Sequence, residues 1–211
     1  MSKNLILIGG GGHAKACIDV IEQEGSYTIK GIIDLPEKVG TETLGYKVIG
    51  IEDDIAGLVK DDHYFLIAVG QIKSARIRVR IWDLLKSLNA QVATVISPFA
   101  YVSGHATVNE GTVIMHGARI NADVVIGCNT IINTNAIVEH DTIVGEHCHI
   151  STGAVLNGGC CTGNEVFVGS GAVINQGINI ASNVKIGAAS LIHRNIKEEG
   201  TYIGVPFVKI L

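Results

Sequence analysis

The 211-residue sequence is poor in charge and has no long hydrophobic run. Charged residues make up 17% of it and the net charge is −4, so no basic surface indicates a nucleic-acid or anionic-membrane partner. No basic segment precedes an apolar stretch at the amino terminus. No apolar run approaches the length of a membrane span. We therefore expect a cytoplasmic protein with neither kind of partner.

Paired cysteine spacing is also missing. The five cysteines are Cys17, Cys128, Cys148, Cys160 and Cys161. Their number is odd and none of them forms a CxxC pair, so a reduced compartment is expected and zinc is not. Glycine, in contrast, is abundant at 26 residues. Little charge with much glycine indicates a glycine-punctuated β architecture with a buried association surface.

Residues 1–97 are predicted to form an α/β domain, Rossmann-like, with a parallel sheet. The apolar run Leu5–Ile8 ends in four glycines and His13, and a helical pattern follows. A glycine turn at a helix start lets backbone N–H groups approach a phosphate. A tight turn without a ligand is the alternative, because the three-glycine fingerprint is only loosely met.

Further strands and a helix complete this domain. A strand at 29–33 ends at Asp34, where an acid either contacts a ribose or only shapes a turn. Other strands are predicted at 48–50, 64–70 and 92–96, and a helix at 72–88. The helix has an apolar stripe of Ile77, Ile81, Leu84, Leu85 and Leu88. Of the flanking Arg76, Arg78 and Arg80, at least two are expected to be solvated.

A six-residue repeat begins at Val102. Aliphatic residues occupy fifteen of sixteen positions spaced by six up to Ile192, the exception being Thr162. This pattern predicts a parallel β-helix over 98–196, with Cys148 and Cys160 pointing into its core. Stacked strands leave an open edge at each end. We expect the α/β domain to cover one end and the tail, residues 197–211, to cover the other.

The sequence resembles the sialic acid O-acetyltransferase and UDP-amino-sugar N-acetyltransferase (NeuD/PglD-like) family. The resemblance lies in the GGGGHA turn, the hexads, Asn133-Thr134 and Val138-Glu139-His140-Asp141. It implies a left-handed β-helix, a homotrimer with active sites between subunits, and acetyl-CoA as co-substrate. The terminal segment 204–209 departs from the family's usual Gly-x-Pro-Ala-Lys tail.

The same resemblance assigns roles to residues. It makes His140 the catalytic base and Asp141 its carboxylate partner, and it places His149 at the acetyl-CoA thioester. It also places an oxyanion donor at Gly158. The nucleotide of the sugar substrate is assigned to Gly11, Gly12, His13 and Asp34.

The residues themselves support part of this assignment. Acyl transfer from a thioester needs a base, an oxyanion donor and alignment of two substrates. His140 is third in its hexad and points outward, and a neighbouring carboxylate can raise its pKa. Gly158 stands eighteen residues later, one coil on, where it leaves room for the thioester carbonyl. Ser170 and Ala188 hold the third position at a neighbouring corner and could line the pantetheine groove.

Three hypotheses follow. The first is acetyl-CoA-dependent N-acetylation of a nucleotide-linked amino sugar, and the second is O-acetylation of a sialic acid at the same site. The third is a non-catalytic or zinc-dependent β-helix protein, with His140, His147 and His149 as candidate ligands. Their spacing does not place all three on one corner, so no metal site is predicted.

Overall fold

The computed structural model describes residues 2–204 and 207–209 and shows two packed units. The first is an α/β sheet with helices, and the second is a parallel β-helix of three sheets. The predicted fold class, an α/β domain followed by a left-handed parallel β-helix, is therefore confirmed.

The amino-terminal unit contains a six-stranded sheet. Its elements are β1 (Lys3–Ile8), α1 (Gly12–Glu24), β2 (Tyr27–Ile33), β3 (Glu42–Thr43), β4 (Tyr46–Gly50), α2 (Ile55–Lys60), β5 (Tyr64–Ile67), α3 (Arg76–Ser87) and β6 (Gln91–Val92). Short 3₁₀ turns occupy Pro36–Lys38 and Glu52–Asp54. The strand order is β3-β4-β2-β1-β5-β6, and every pairing is parallel except that of β3 with β4.

This order reverses at β1. The chain moves outward from β1 through β2 to β4 and then returns to β5 on the other side of β1. In open parallel sheets, ligands bind outside the carboxyl ends of the strands at such a switch point. The carboxyl ends of β1 and β5 are followed by Gly9 and Ala68, so the glycine turn lies at the expected place for a ligand.

Helix α3 differs from its prediction in two ways. It begins at Arg76 rather than at residue 72, because residues 68–75 form a loop that packs on the β-helix through the buried Gln71. Its buried face includes Ile81 and Arg78, whereas Ile77, assigned to the apolar stripe, is 56% exposed. Arg76 and Arg80 are exposed, in agreement with the expectation that at least two of the three arginines are solvated.

The β-helix has three sheets. The first contains β7 (Val95–Ile96), β10 (Val113–Ile114), β13 (Ile131–Ile132), β16 (His149–Ile150), β19 (Phe167–Val168), β22 (Val184–Ile186), β24 (Gly200–Gly204) and β25 (Phe207–Lys209). The second contains β8 (Tyr101–Val102), β11 (Arg119–Ile120), β14 (Ile137–Val138), β17 (Val155–Leu156), β20 (Val173–Ile174) and β23 (Leu191–Ile192). The third contains β9 (Thr107–Val108), β12 (Val125–Ile126), β15 (Ile143–Val144), β18 (Cys161–Thr162) and β21 (Asn179–Ile180).

Residues eighteen apart stack in each sheet, as Val113, Ile131 and His149 do in the first. The aliphatic residue of each hexad points inward and forms one continuous core. Cys148 and Cys160 are buried in that core, as predicted. All five cysteines are free.

The first coil begins earlier than expected. The stretch 92–96 is not a single strand, because Val92 pairs in the α/β sheet while Val95 and Ile96 pair with Val113 and Ile114 of the β-helix. The β-helix therefore starts at Val95, three residues before the predicted start of its domain at residue 98. Two short apolar strands so close together appear in sequence as one run.

The α/β unit covers a side of the β-helix rather than its end. Outward residues of the first sheet, among them Val95 and Val113, pack in one core with Cys17 and Ile18 of α1. This contact explains why the first sheet carries apolar residues on its outer face as well as its inner one. It also places the glycine turn beside His149.

The tail extends the first sheet. β24 pairs in parallel with β22, and β25 folds back antiparallel to β24. Of the segment 204–209, which departs from the family's usual tail, residues 205 and 206 lie outside the described part of the chain, as do 210 and 211.

Candidate active site

The candidate base stands at the corner between the second and third sheets. His140 follows β14, and Asp141 takes a left-handed conformation with φ of 60°. The His140 Nδ1 and Asp141 Oδ2 atoms are 2.6 Å apart. Both side chains are about two-thirds exposed, at 65% and 64%. The hydrogen bond to Asp141 raises the pKa of His140 above its ordinary value, and the charges of Asp141 and Glu139 act in the same direction.

Gly158 lies directly against the imidazole of His140. A Cβ placed on Gly158 would lie 2.7 Å from Cε1 and 2.8 Å from Nε2 of that ring. The sequence suggested that this glycine leaves room for a thioester carbonyl, but the room is occupied by the base itself. The two residues stack because they hold the same hexad position in successive coils, and only a residue without a side chain allows so close an approach.

A cleft of about 360 Å³ opens at this corner. It is lined by Glu139, His140, Asn157, Gly158 and Gln176. Gln176 was missed in the sequence, although it stands eighteen residues after Gly158 and so completes the same column of third positions. The cleft presents an imidazole, a carboxylate and two amides, which can position a polar acceptor molecule.

His149 is held away from this cleft, beneath the α/β unit. Only 6% of its surface is exposed, and its Nδ1 donates to the Gln71 carbonyl oxygen at 2.6 Å. Burial, with a smaller effect from the charge of Arg78, lowers the pKa of His149 to about 4. The ring is therefore neutral near pH 7, and its Nε2 accepts from the Asn133 amide at 3.1 Å.

The other residues predicted to contact acetyl-CoA, Ser170 and Ala188, lie at the same corner as Asn133. Ser170 and Ala188 are both exposed at the corner between the first and second sheets, in the same column of third positions as Thr134. The Ser170 hydroxyl is 3.0 Å from that of Ser151, and the Ser170 carbonyl accepts from Ala189. The structure thus gathers His149, Ser170 and Ala188 along one edge and places His140, Asp141 and Gly158 along the next.

The glycine turn has the geometry of an open helix start. Gly9 has φ of 98°, Gly11 caps α1, and Gly12 is its first residue. No atom of the described residues lies within 4 Å of a Cβ built on Gly11 or Gly12, so their backbone faces open space. Free N–H groups at a helix start attract anions. Asp34 is held here too, since its carboxylate accepts from the N–H groups of Gly10 and Leu35.

His13 links the turn to the β-helix. Its ring lies 6.4 Å from that of His149, and its Nε2 has no hydrogen-bond partner in the described part of the chain. Burial, followed by the charge of Arg78, lowers the pKa of His13 to about 3. The proposed nucleotide turn and the proposed cofactor edge are therefore neighbours across the interface of the two units.

Arg78, the one arginine of the three that is not solvated, holds this interface together. Its guanidinium is fully buried and donates to the Ile67 and Val69 carbonyls and to the carbonyl and side-chain oxygens of Asn129. Four neutral acceptors take the place of a carboxylate. Charge patterning could not reveal this, because the acceptors are backbone groups and an amide distant in the chain.

The three histidines of the metal hypothesis do not converge. His147 faces helix α3, where its ring lies 6.0 Å from that of Trp82, while His140 and His149 lie at different edges. His147 is half-buried and packs within the chain. Among the residues described, no group of three His, Cys, Asp or Glu side chains could hold a metal ion.

Comparison with known proteins identifies the family. The PglD N-terminal domain model matches residues 4–83, and the bacterial transferase hexapeptide model matches residues 123–158. A variant of perosamine N-acetyltransferase from Caulobacter crescentus, in complex with CoA and GDP-perosamine, is 31% identical, with a TM-score of 0.92. The match covers 98% of this chain and 96% of that one. Comparison with curated proteins gave no significant match.

A second solved structure is equally similar in sequence. The acetyltransferase domain of PglB from Neisseria gonorrhoeae, in complex with acetyl coenzyme A, is 31% identical over the full length of both chains, with a TM-score of 0.90. WeeI from Acinetobacter baumannii, at 20% identity and a TM-score of 0.87, shares the fold. The fold and these relatives define a hexapeptide-repeat acyltransferase. Within that class, the chain belongs to the PglD/NeuD-like family of sugar acetyltransferases.

No helix in the described residues is both long enough and apolar enough to cross a membrane.

Proposed function

We propose that the protein transfers the acetyl group of acetyl-CoA to the amino group of a nucleotide-linked sugar, with His140 as general base. One observation carries the proposal: the His140 imidazole is oriented by Asp141 on one side and by Gly158 beneath it. The relatives that bind CoA, acetyl-CoA and GDP-perosamine supply the class of both substrates.

The geometry supports a direct transfer. Asp141 can only accept, so His140 Nδ1 carries the proton and Nε2 is left as the base. Nε2 has no hydrogen-bond partner in the part of the chain that the structure describes. As the amine attacks the thioester carbon, its proton moves to Nε2 and negative charge develops on the carbonyl oxygen. The C–S bond then breaks and the CoA thiolate takes up the proton from His140 Nε2, which returns the base to its neutral form.

Gly158 is the proposed oxyanion donor. Its N–H makes no hydrogen bond to the described residues, although its carbonyl accepts from Gly177. A preoriented backbone N–H stabilises charge as it develops and costs no reorganisation. We further propose that His149 holds the Asn133-Thr134 corner beside the acetyl-CoA, whose pantetheine passes Ser170 and Ala188. The nucleotide would bind at Gly11, Gly12, His13 and Asp34.

We also propose a homotrimer whose active sites lie between subunits. The cleft at His140 is open on one side, and the second sheet beside it carries a partly exposed aliphatic row. The row consists of Ile137, Val155, Val173 and Leu191. Packing of a second copy on this row would bury apolar surface and close the cleft. Val173→Asp should then yield a smaller species in light scattering, and an unchanged trimeric mass would contradict the interface.

Turnover can be tested by thiol release from acetyl-CoA, with mass spectrometry of the product, across amino sugars and hydroxy sugars linked to GDP, UDP or CMP. We expect acetylation of an amine. Acetylation of only a hydroxyl, as on a sialic acid, would replace this proposal with O-acetylation. His140→Ala should abolish turnover and leave acetyl-CoA binding intact, and near wild-type activity would exclude His140 as the base.

A further inference from the structure

A second cleft lies at the carboxyl ends of the α/β strands. It measures about 430 Å³, and its floor is made by residues that end or follow β1, β2 and β5. These floor residues are Ile8, Gly9, Ile33 and Val69. None of Gly11, Gly12 and His13 lines it, although Gly9 and Asp34 do. The cleft therefore adjoins the proposed phosphate turn without including it.

Part of the lining of this cleft is apolar and exposed. Leu35, Pro36 and Ile77, the last on the first turn of α3, contribute to this lining. Leu35 is 58% exposed and Ile77 is 56% exposed. Exposed aliphatic side chains that line one cleft create a surface suited to the flat faces of a planar ring.

The rim of the cleft is acidic. Arg80 forms a two-pronged ion pair with Glu52, so these two charges are already matched. Asp34 accepts two backbone N–H groups, as described above. Asp53 lines the same cleft and is exposed, and its carboxylate has no hydrogen-bond or ion-pair partner within the described residues. Asp53 is thus the acceptor at this rim that remains available to a ligand.

We propose that this cleft seats the nucleobase of the sugar nucleotide and that Asp53 selects guanine over uracil. This inference rests on the proposed function. Guanine presents two adjacent N–H donors on one edge, which a carboxylate can accept in parallel. Uracil presents a single N–H between two carbonyl oxygens, and these oxygens would repel the carboxylate.

The remainder of a nucleotide fits the neighbouring groups. With the base between Leu35 and Ile77, the ribose lies beside Asp34, at the junction of the cleft and the turn. The diphosphate then reaches the open N–H groups of Gly11 and Gly12 at the start of α1. The attached sugar emerges towards His13, on the side of the α/β unit that faces the β-helix.

The test is calorimetric binding of GDP and UDP to the full-length protein, in the absence of acetyl-CoA. We expect GDP to bind about tenfold more tightly than UDP, or better, because a two-pronged contact to a base discriminates to that degree. Asp53→Asn should remove most of this preference by weakening GDP alone. Equal affinities in the wild type, or an equal loss for both nucleotides in Asp53→Asn, would overturn the selection of guanine by Asp53.

Two further variants distinguish a specific effect on the cleft from general damage to the fold. Ile77→Asp should weaken both nucleotides by at least about tenfold, because it makes an apolar wall charged. Asp61→Asn removes an exposed carboxylate that lies outside this cleft and should change neither affinity. Unchanged nucleotide binding in Ile77→Asp would show that the base binds elsewhere.

Failure of this inference can be distinguished from failure of the proposed function. Acetylation of UDP-linked but not GDP-linked amino sugars would overturn the base selection and leave the transferase assignment intact. Conversely, GDP binding that depends on Asp53, together with failure to acetylate any nucleotide-linked sugar, would support the cleft and overturn the proposed substrate.

Discussion

The imidazole of His140 rests on the backbone of Gly158, one coil further along the β-helix, at a distance that no side chain on residue 158 would permit. The base is therefore positioned from two directions, by the Asp141 carboxylate at Nδ1 and by the bare backbone beneath the ring. This arrangement depends on the eighteen-residue register between successive coils.

Gly158→Ala should reduce kcat strongly, because its methyl group would lie 2.7 Å from Cε1 of His140 and displace the ring. A fall of about a hundredfold is expected from loss of an aligned base. The melting temperature should change little. Gly104→Ala is a matched control, since a Cβ at Gly104 meets no atom within 4 Å in the part of the chain that the structure describes. Steady-state kinetics of both variants test this, and near wild-type kcat in Gly158→Ala would disprove the packing role.

Asp141→Asn should move the acidic limb of the kcat/KM profile to lower pH. Asp141 raises the pKa of His140, so its loss lets the imidazole become neutral at a lower pH. Asparagine also tolerates the left-handed backbone at this position, so the corner should be retained. A pH–rate profile of the two enzymes measures the shift. An acidic limb at the same pH in both enzymes would show that Asp141 does not raise the pKa of His140.

The protein should lose stability as the pH falls from about 6.5 towards 4. Burial depresses the pKa of His149 to about 4 and that of His13 to about 3, whereas both take up protons near pH 6.5 when unfolded. Below that pH the unfolded state binds more protons, which favours unfolding by about 1.4 kcal/mol per pH unit per histidine. Thermal melts across this range should show a smaller slope for His149→Gln than for the wild type, and equal slopes would contradict the depressed pKa.

Arg78→Met should destabilise the fold by about 3 kcal/mol or more, because it leaves the buried oxygens of Ile67, Val69 and Asn129 without their donor. Arg76→Met, two residues away on the exposed side of α3, should shift stability by less than about 0.5 kcal/mol. Denaturant unfolding of the pair gives the comparison. Similar stabilities of both variants would show that Arg78 does not hold the interface.

Much of the fold follows from local pattern. The hexads of 102–192 dictate the β-helix because each aliphatic residue must face the same core in every coil. Cys148 and Cys160 could be assigned to that core from register alone. The start of the β-helix was misplaced because Val92 and Val95 are indistinguishable as apolar strand residues, yet they pair in different sheets.

The candidate site was only partly predictable. His140 and Asp141 are neighbours in the chain, and Gly158 follows from the coil length, so their proximity could be inferred. The burial of His149 and Arg78 could not, because it results from docking of the α/β unit on the first sheet. The cleft at Leu35, Asp53 and Ile77 likewise joins segments separated in the chain.

The sequence by itself determined the repeat, the family and the column of residues that holds the base, because these depend on spacing along one chain. Only the tertiary structure decided which side of the β-helix the α/β unit covers, and hence that His13 faces His149 and that Arg78 is buried. The physical reason is that docking depends on the shape and hydrogen bonding of two whole surfaces, which no local periodicity records.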